Sequence, residues 1–160
     1  MSSASSSAAA TANQSICRGS AITNIVYTIG GGATGVNPTG LPAGLTANLV
    51  GSTYTISGTP TANGTFNYTL TTSGGAPCAN ATINGTIVVN ALPTAIAGGA
   101  TTVCVGGTTP AFTNATGGGT WSTSNANATI DASGILTGVT AGNVRVIYTL
   151  PTGCFVQTAL

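Results

Sequence analysis

The side chains in this 160-residue chain that could carry ionic or acid–base chemistry are few: Arg18, Arg145, Asp131, four cysteines and four tyrosines, with no His, Lys or Glu. Hydrolysis by paired carboxylates needs a second acid, and an acyl-transfer triad needs a histidine. A calcium site usually gathers several oxygens from more than one acid. Asp131 alone supports none of these, so no catalytic, cofactor or metal role is expected of the chain. Its expected place is structural: Asp131-Ala-Ser-Gly134 reads as a turn, with the carboxylate accepting backbone N–H groups and Gly134 tolerating a positive φ. Trp121 could offer a sugar a stacking platform, but one Trp inside a strand pattern is more often a core residue, and that is the expectation. Tyr27, Tyr54, Tyr68 and Tyr148 sit among apolar strand residues and read as core or rim. Arg145 alternates with Val144 and Val146 and is expected to face solvent, and Arg18 falls at a domain edge.

Gly30, Gly32 and Gly35 fit the G-x-G-x-x-G spacing of dinucleotide sites. That chemistry needs a helix N-terminus next and an acid for the ribose, whereas Val36-Asn-Pro38 follows; a loop between strands is the expectation. Two arginines give no basic face for a run of phosphates, so nucleic acid is not an expected partner. The longest apolar runs, such as Ile87-Val88-Val89, fall far short of the ~20 residues that cross a bilayer, so no membrane insertion is expected. Hydrophobic residues nevertheless make up 42% of the chain, unlike disordered segments, and a packed core is expected. A net charge near zero suits a tethered or secreted surface protein, and the chain reads as extracellular.

Four cysteines permit three pairings. Ser-Ile16-Cys17-Arg-Gly19 recurs as Thr-Val103-Cys104-Val-Gly106, and Gly75-Ala-Pro-Cys78 recurs loosely as Pro151-Thr-Gly-Cys154. A duplicated unit with a cysteine near each end makes Cys17–Cys78 and Cys104–Cys154 the natural disulfides; the other reading is four free buried thiols. The spacing has none of the C-x-x-C pairs of a zinc site. Seven N-x-S/T sequons, at Asn13, Asn63, Asn67, Asn80, Asn84, Asn114 and Asn127, arise readily in a chain so rich in Asn and Thr.

Residues 1–13, MSSASSSAAATAN, lack the charged start and apolar stretch of a signal peptide and read as a flexible leader. The first unit is expected at 14–92, with strands at 22–29, 53–57, 65–71 and 82–90; Phe66, Tyr68 and Leu70 should face in. Pro-Gly punctuation at 38–44 reads as a break. The second unit is expected at 93–160, with strands at 101–105, 120–124, 128–131, 135–137, 144–150 and 154–158, the joint lying at Leu92-Pro93. The fold class expected is all-β: two tandem β-sandwiches, each with one internal disulfide.

The motifs carry a resemblance. Gly40-Leu-Pro-Ala-Gly-Leu45, Tyr54-Thr-Ile-Ser-Gly-Thr-Pro60 and Gly64-Thr-Phe-Asn-Tyr-Thr-Leu70 resemble the immunoglobulin-like domains of bacterial surface proteins. Gly119-Thr-Trp-Ser-Thr-Ser-Asn125, with Ala128-Thr-Ile-Asp-Ala-Ser-Gly-Ile-Leu-Thr-Gly138 and Val139-Thr-Ala-Gly142, is similar to the group 2 bacterial immunoglobulin-like repeat. The cysteine-framed, charge-poor version looks like tandem repeats of long secreted adhesins of gliding Bacteroidetes. That resemblance implies a structural or adhesive module at the cell surface, with neighbouring repeats and surface polysaccharide as partners. The alternative is a spacer or carbohydrate-binding accessory of a secreted enzyme.

Counted from their final cysteines, the first unit continues for 14 residues and the second for six. The expectation is a second unit lacking its last strand, with 144–150 or 154–160 bordering an edge open to strand addition from another chain. The 1–13 leader is the conceivable donor.

Overall fold

The computed structural model describes residues 4–6, 9–74 and 79–160. The chain divides into two compact units, Met1–Ala91 and Leu92–Leu160, one residue from the expected joint.

Among the described residues the first unit has eight strands, β1 (Ala4–Ser6), β2 (Asn13–Cys17), β3 (Ile25–Ile29), β4 (Gly35–Thr39), β5 (Leu45–Val50), β6 (Thr53–Gly58), β7 (Gly64–Ser73) and β8 (Thr82–Asn90), with one helical turn, α1 (Ala9–Ala12). They form two sheets in the orders β1-β3-β6-β5 and β2-β8-β7-β4. Period-2 alternation aims one face of each sheet at the other. Ile25 and Tyr27 on β3, Tyr54 and Ile56 on β6, Tyr68 and Leu70 on β7, and Ile87 and Val89 on β8 make the shared core. Each fully buried Ile or Leu there contributes on the order of 2 kcal/mol by leaving water.

Several expectations are corrected here. The described residues of the supposed leader belong to the sandwich: Ala4–Ser6 pairs with β3, Ala9–Ala12 forms α1, and Asn13–Cys17 lies parallel to β8. The Gln14 amide fastens that crossing, donating to the carbonyls of Thr11 and Thr23 at 2.7 Å and accepting from the Thr23 N–H at 2.9 Å. Second, the stretch around Pro38 is not only a break. Gly35–Thr39 pairs with β7 and Leu45–Val50 with β6, both at sheet edges, where a proline's missing N–H removes no ladder bond.

The second unit comprises β9 (Ala97–Gly98), β10 (Phe112–Thr113), β11 (Thr120–Thr123), β12 (Ala128–Ile130), β13 (Leu136–Gly138), β14 (Arg145–Thr149) and β15 (Phe155–Ala159). Its largest sheet is β11-β14-β15, with two-stranded ladders β10-β9 and β12-β13. Phe112, Ala128, Leu136, Val144 and Val146 form its core, with Ile96, Val103, Trp121, Ile130 and Leu160 packed around it. The third correction falls on its end. A closing strand is present: β15 pairs with β14 along its whole length, from Thr149↔Phe155 to Arg145↔Ala159. The expected strand at 101–105 is reduced to a single bridge, Val105 with Gly138.

Candidate functional surface

Asp131 and Gly134 act in one turn. The Asp131 Oδ1 accepts the N–H groups of Ser133 and Ile135, both at 2.9 Å, and the Gly134 N–H donates to the Asp131 carbonyl at 3.0 Å. Gly134 has φ of 81° and presses against the Phe112 carbonyl, leaving no room for a Cβ. The sole carboxylate is thereby tied to backbone, and the turn joins β12 to β13.

Trp121 stands on β11 half-buried against the core, its ring 4.6 Å from that of Tyr148 and tilted by 55°. Tyr148 is itself fixed, donating to the Thr116 carbonyl at 2.7 Å and accepting from the Gly119 N–H at 2.9 Å. A cleft of about 290 Å³ opens beside the pair, lined by Thr120, Trp121, Ile130 and Asp131 among others. Trp121 and Asp131 thus both line this cleft of the second unit.

In the first unit the tyrosines are structural. The Tyr68 hydroxyl donates to the Ala12 carbonyl at 3.0 Å and meets the Tyr27 hydroxyl at 2.8 Å, so Tyr27 donates to Tyr68. Burial, followed by the Tyr27 hydrogen bond, pushes the Tyr68 phenol well above its usual range, because the phenolate would lose both water and its donor role. Burial also raises Tyr54, whose hydroxyl finds no partner among the described residues. Sequence reading missed this network, whose partners lie 41 and 56 residues apart. Gly85, inside β8, is its one local signal, since glycine in a strand often marks a close approach.

The cysteines depart from the expected frame. Cys17 and Cys154 are disulfide-bonded, whereas Cys104 is a free, exposed thiol, so the Cys104–Cys154 staple of the second unit is not formed. Cys78 lies outside the described residues. The local repeat that suggested the pairing preserves sequence around Cys104 but not strand geometry: Cys17 ends β2, while Cys104 sits in irregular chain. Arg18 and Arg145 are exposed. The Gly30–Gly35 stretch is the β3–β4 connection and runs into a strand, not a helix. Among the described residues no group of three His, Cys, Asp or Glu side chains is placed to hold a metal, and no helix is long and apolar enough to cross a membrane.

No protein-family model matches the chain, and no curated protein matches it. Solved structures do. A three-domain immunoglobulin fragment of titin aligns with 92% of this chain at 11% identity and a TM-score of 0.50, and the chain spans 60% of that fragment's length. A fragment of intimin, in complex with the intimin-binding domain of its translocated receptor, aligns with 86% at 16% identity and a TM-score of 0.38, over 57% of its length. A SusE-like surface-located polysaccharide-binding protein from Bacteroides thetaiotaomicron aligns with 92% at 17% identity and a TM-score of 0.41, over 32% of its length. At these identities the likeness speaks to fold alone. With the paired sheets of the first unit, the titin alignment defines the chain as all-β and immunoglobulin-like.

Proposed function

We propose that the chain is a non-catalytic structural and adhesive module of an extracellular protein, a repeat unit of a bacterial surface adhesin. The observation that carries the reading is the disulfide-bonded state of Cys17 and Cys154 in a chain of immunoglobulin-like fold, since such bonds persist in oxidising space outside the cytosol. The sole carboxylate supports it too: Asp131 is occupied by its own turn, and a chain without His, Lys or Glu offers no acid–base pair poised near neutral pH. Neighbouring repeats of the same protein and surface polysaccharide are the partners this role entails. The test is immunolabelling of intact producing cells with antibody against this chain, before and after external protease. Surface signal that protease removes is the expected result; signal only after permeabilisation overturns the reading.

The cleft beside Trp121 and Asp131 favours a second reading, a carbohydrate-binding accessory of a secreted enzyme. A glycan array probed with the intact chain separates the two. One reproducible sugar ligand supports the accessory, and binding spread over unrelated glycans or none supports the structural module.

A further inference from the structure

The outer edge of β15 differs from its counterpart in the first unit. There, the corresponding last strand, β8, is covered on one side by β7 and on the other by β2, parallel from Asn13↔Thr86 to Cys17↔Asn90. In the second unit β15 pairs with β14 alone, and no other strand of the described residues lies beside it. The direction of its free backbone groups follows from the ladder. The Leu150 N–H donates to the Cys154 carbonyl at 2.8 Å and the Leu160 N–H to the Val144 carbonyl at 2.9 Å. Hydrogen-bonded pairs alternate along an antiparallel ladder, so 154, 156, 158 and 160 bond inward to β14. Phe155, Gln157 and Ala159 therefore direct their N–H and C=O groups away from the sheet.

These three residues also expose their side chains, Phe155 by 52%. The edge carries none of the usual blocks: no proline lies within it and no charged residue between Val146 and Leu160. The contrasting edge strand β4 has Pro38.

We infer that β15 is a self-pairing edge, and that its partner is β15 of a second copy of this chain, antiparallel about a two-fold axis through Gln157. In that register Phe155 faces Ala159 of the second copy, Gln157 faces Gln157, and each pair exchanges two backbone hydrogen bonds. The register is complementary in size and charge. The large Phe155 ring lies against the small Ala159, and the two Gln157 amides each offer a donor and an acceptor to the other. Arg145 is the cross-strand neighbour of Ala159 on the same face, so its guanidinium reaches the exposed Phe155 ring of the second copy, a cation–π contact, and no like charges oppose one another. The pairing extends β11-β14-β15 into one sheet shared by two molecules. The supposed donor, the 1–13 segment, is not needed for it, since Ala4–Ser6 and Asn13–Cys17 are paired within their own unit.

The test is light scattering of the full chain across micromolar to millimolar concentration, in a Cys104→Ser background so that no thiol-linked pair is mistaken for a strand pair. A concentration-dependent dimer is expected. Gln157→Pro removes an outward N–H at the axis and should leave monomer. Phe155→Lys sets a lysine beside the partner's Arg145 and should weaken the dimer more than ten-fold, while Phe155→Lys with Ala159→Glu restores it at low salt by pairing the new charges across the axis. Unchanged melting temperature in each variant shows that the unit itself remains folded. Monomer at every concentration overturns the inference. So does a dimer indifferent to both Gln157→Pro and Phe155→Lys, or failure of the charge pair to rescue.

Discussion

A buried hydroxyl is stabilising only if its partner is buried with it, and the tyrosines of the first unit show both outcomes. Tyr68 is fully buried and links Tyr27 to the Ala12 carbonyl, whereas Tyr54 is 3% exposed with its hydroxyl unpartnered among the described residues. Removing the Tyr68 hydroxyl strands a donor and an acceptor, so Tyr68→Phe should cost about 1–3 kcal/mol. Tyr27→Phe should cost less, because it leaves only Tyr68's acceptor capacity unused. Tyr54→Phe should be neutral or stabilising by up to about 1 kcal/mol, since it relieves a desolvated hydroxyl that gains nothing in return. Urea denaturation of the three variants checks the order, and a large loss in Tyr54→Phe would contradict the orphaned hydroxyl. The same burial sets an alkaline limit. Both phenols titrate higher in the folded chain than the ordinary value of 10.0, so unfolding is accompanied by proton release once pH exceeds that value. Stability from these groups is complete below pH 10 and declines as pH rises above it, and Tyr68→Phe should flatten the decline.

Along β7 and β8, the element scale, neutral side chains replace the charges that most soluble sheets expose. Thr69 donates to Asn84 at 2.8 Å and Thr86 to Asn67 at 2.9 Å, each across a register pair of the ladder. These two strands were plain in the sequence because Tyr68, Leu70, Ile87 and Val89 alternate with polar residues over a long stretch. The turn at Asp131 was equally legible, since its hydrogen bonds span at most four residues. β4 and β5 were hidden by Pro38 and by Gly40 and Gly44, which mark a break for any reader who does not yet know that these strands lie at sheet edges. β9 and β10 have two residues each, too few to show a period. Gly85 within β8 is a requirement: a Cβ there would strike the Tyr68 ring and lie 2.6 Å from the Ala12 carbonyl. Gly85→Ala should therefore destabilise the first unit by about 2–3 kcal/mol through overpacking. The cost should shrink in a Tyr68→Leu background, where part of the clash is absent, and a double-mutant cycle by chemical denaturation measures that coupling. Strict additivity would show that the Tyr68 ring does not occupy the glycine's space.

For the whole molecule, electrostatics contributes little: two arginines and one aspartate are the only charged side chains, and stability rests on two small cores and on covalent closure. Small domains bury a modest share of their surface, so a disulfide weighs heavily in them. Sequence repetition pointed to one staple per unit because it compares neighbours along the chain, and a disulfide depends on Cα atoms meeting within about 7 Å in space. The observed states make the consequences unequal among the cysteines. Cys154 is fully buried and bonded, and Cys104 is exposed and free. Iodoacetamide added to the native, unreduced chain should accordingly modify Cys104 and leave Cys17 and Cys154 untouched, as peptide mass spectrometry would show. Cys104→Ser should leave the melting temperature unchanged. Reduction should lower stability by roughly 3–5 kcal/mol, the effect of releasing a long closed loop in the chain-entropy model. Cys154→Ser should reproduce most of that loss and be insensitive to further reductant. Were Cys104 protected from alkylation, or Cys104→Ser as damaging as Cys154→Ser, the second unit would hold the internal staple that its sequence suggested.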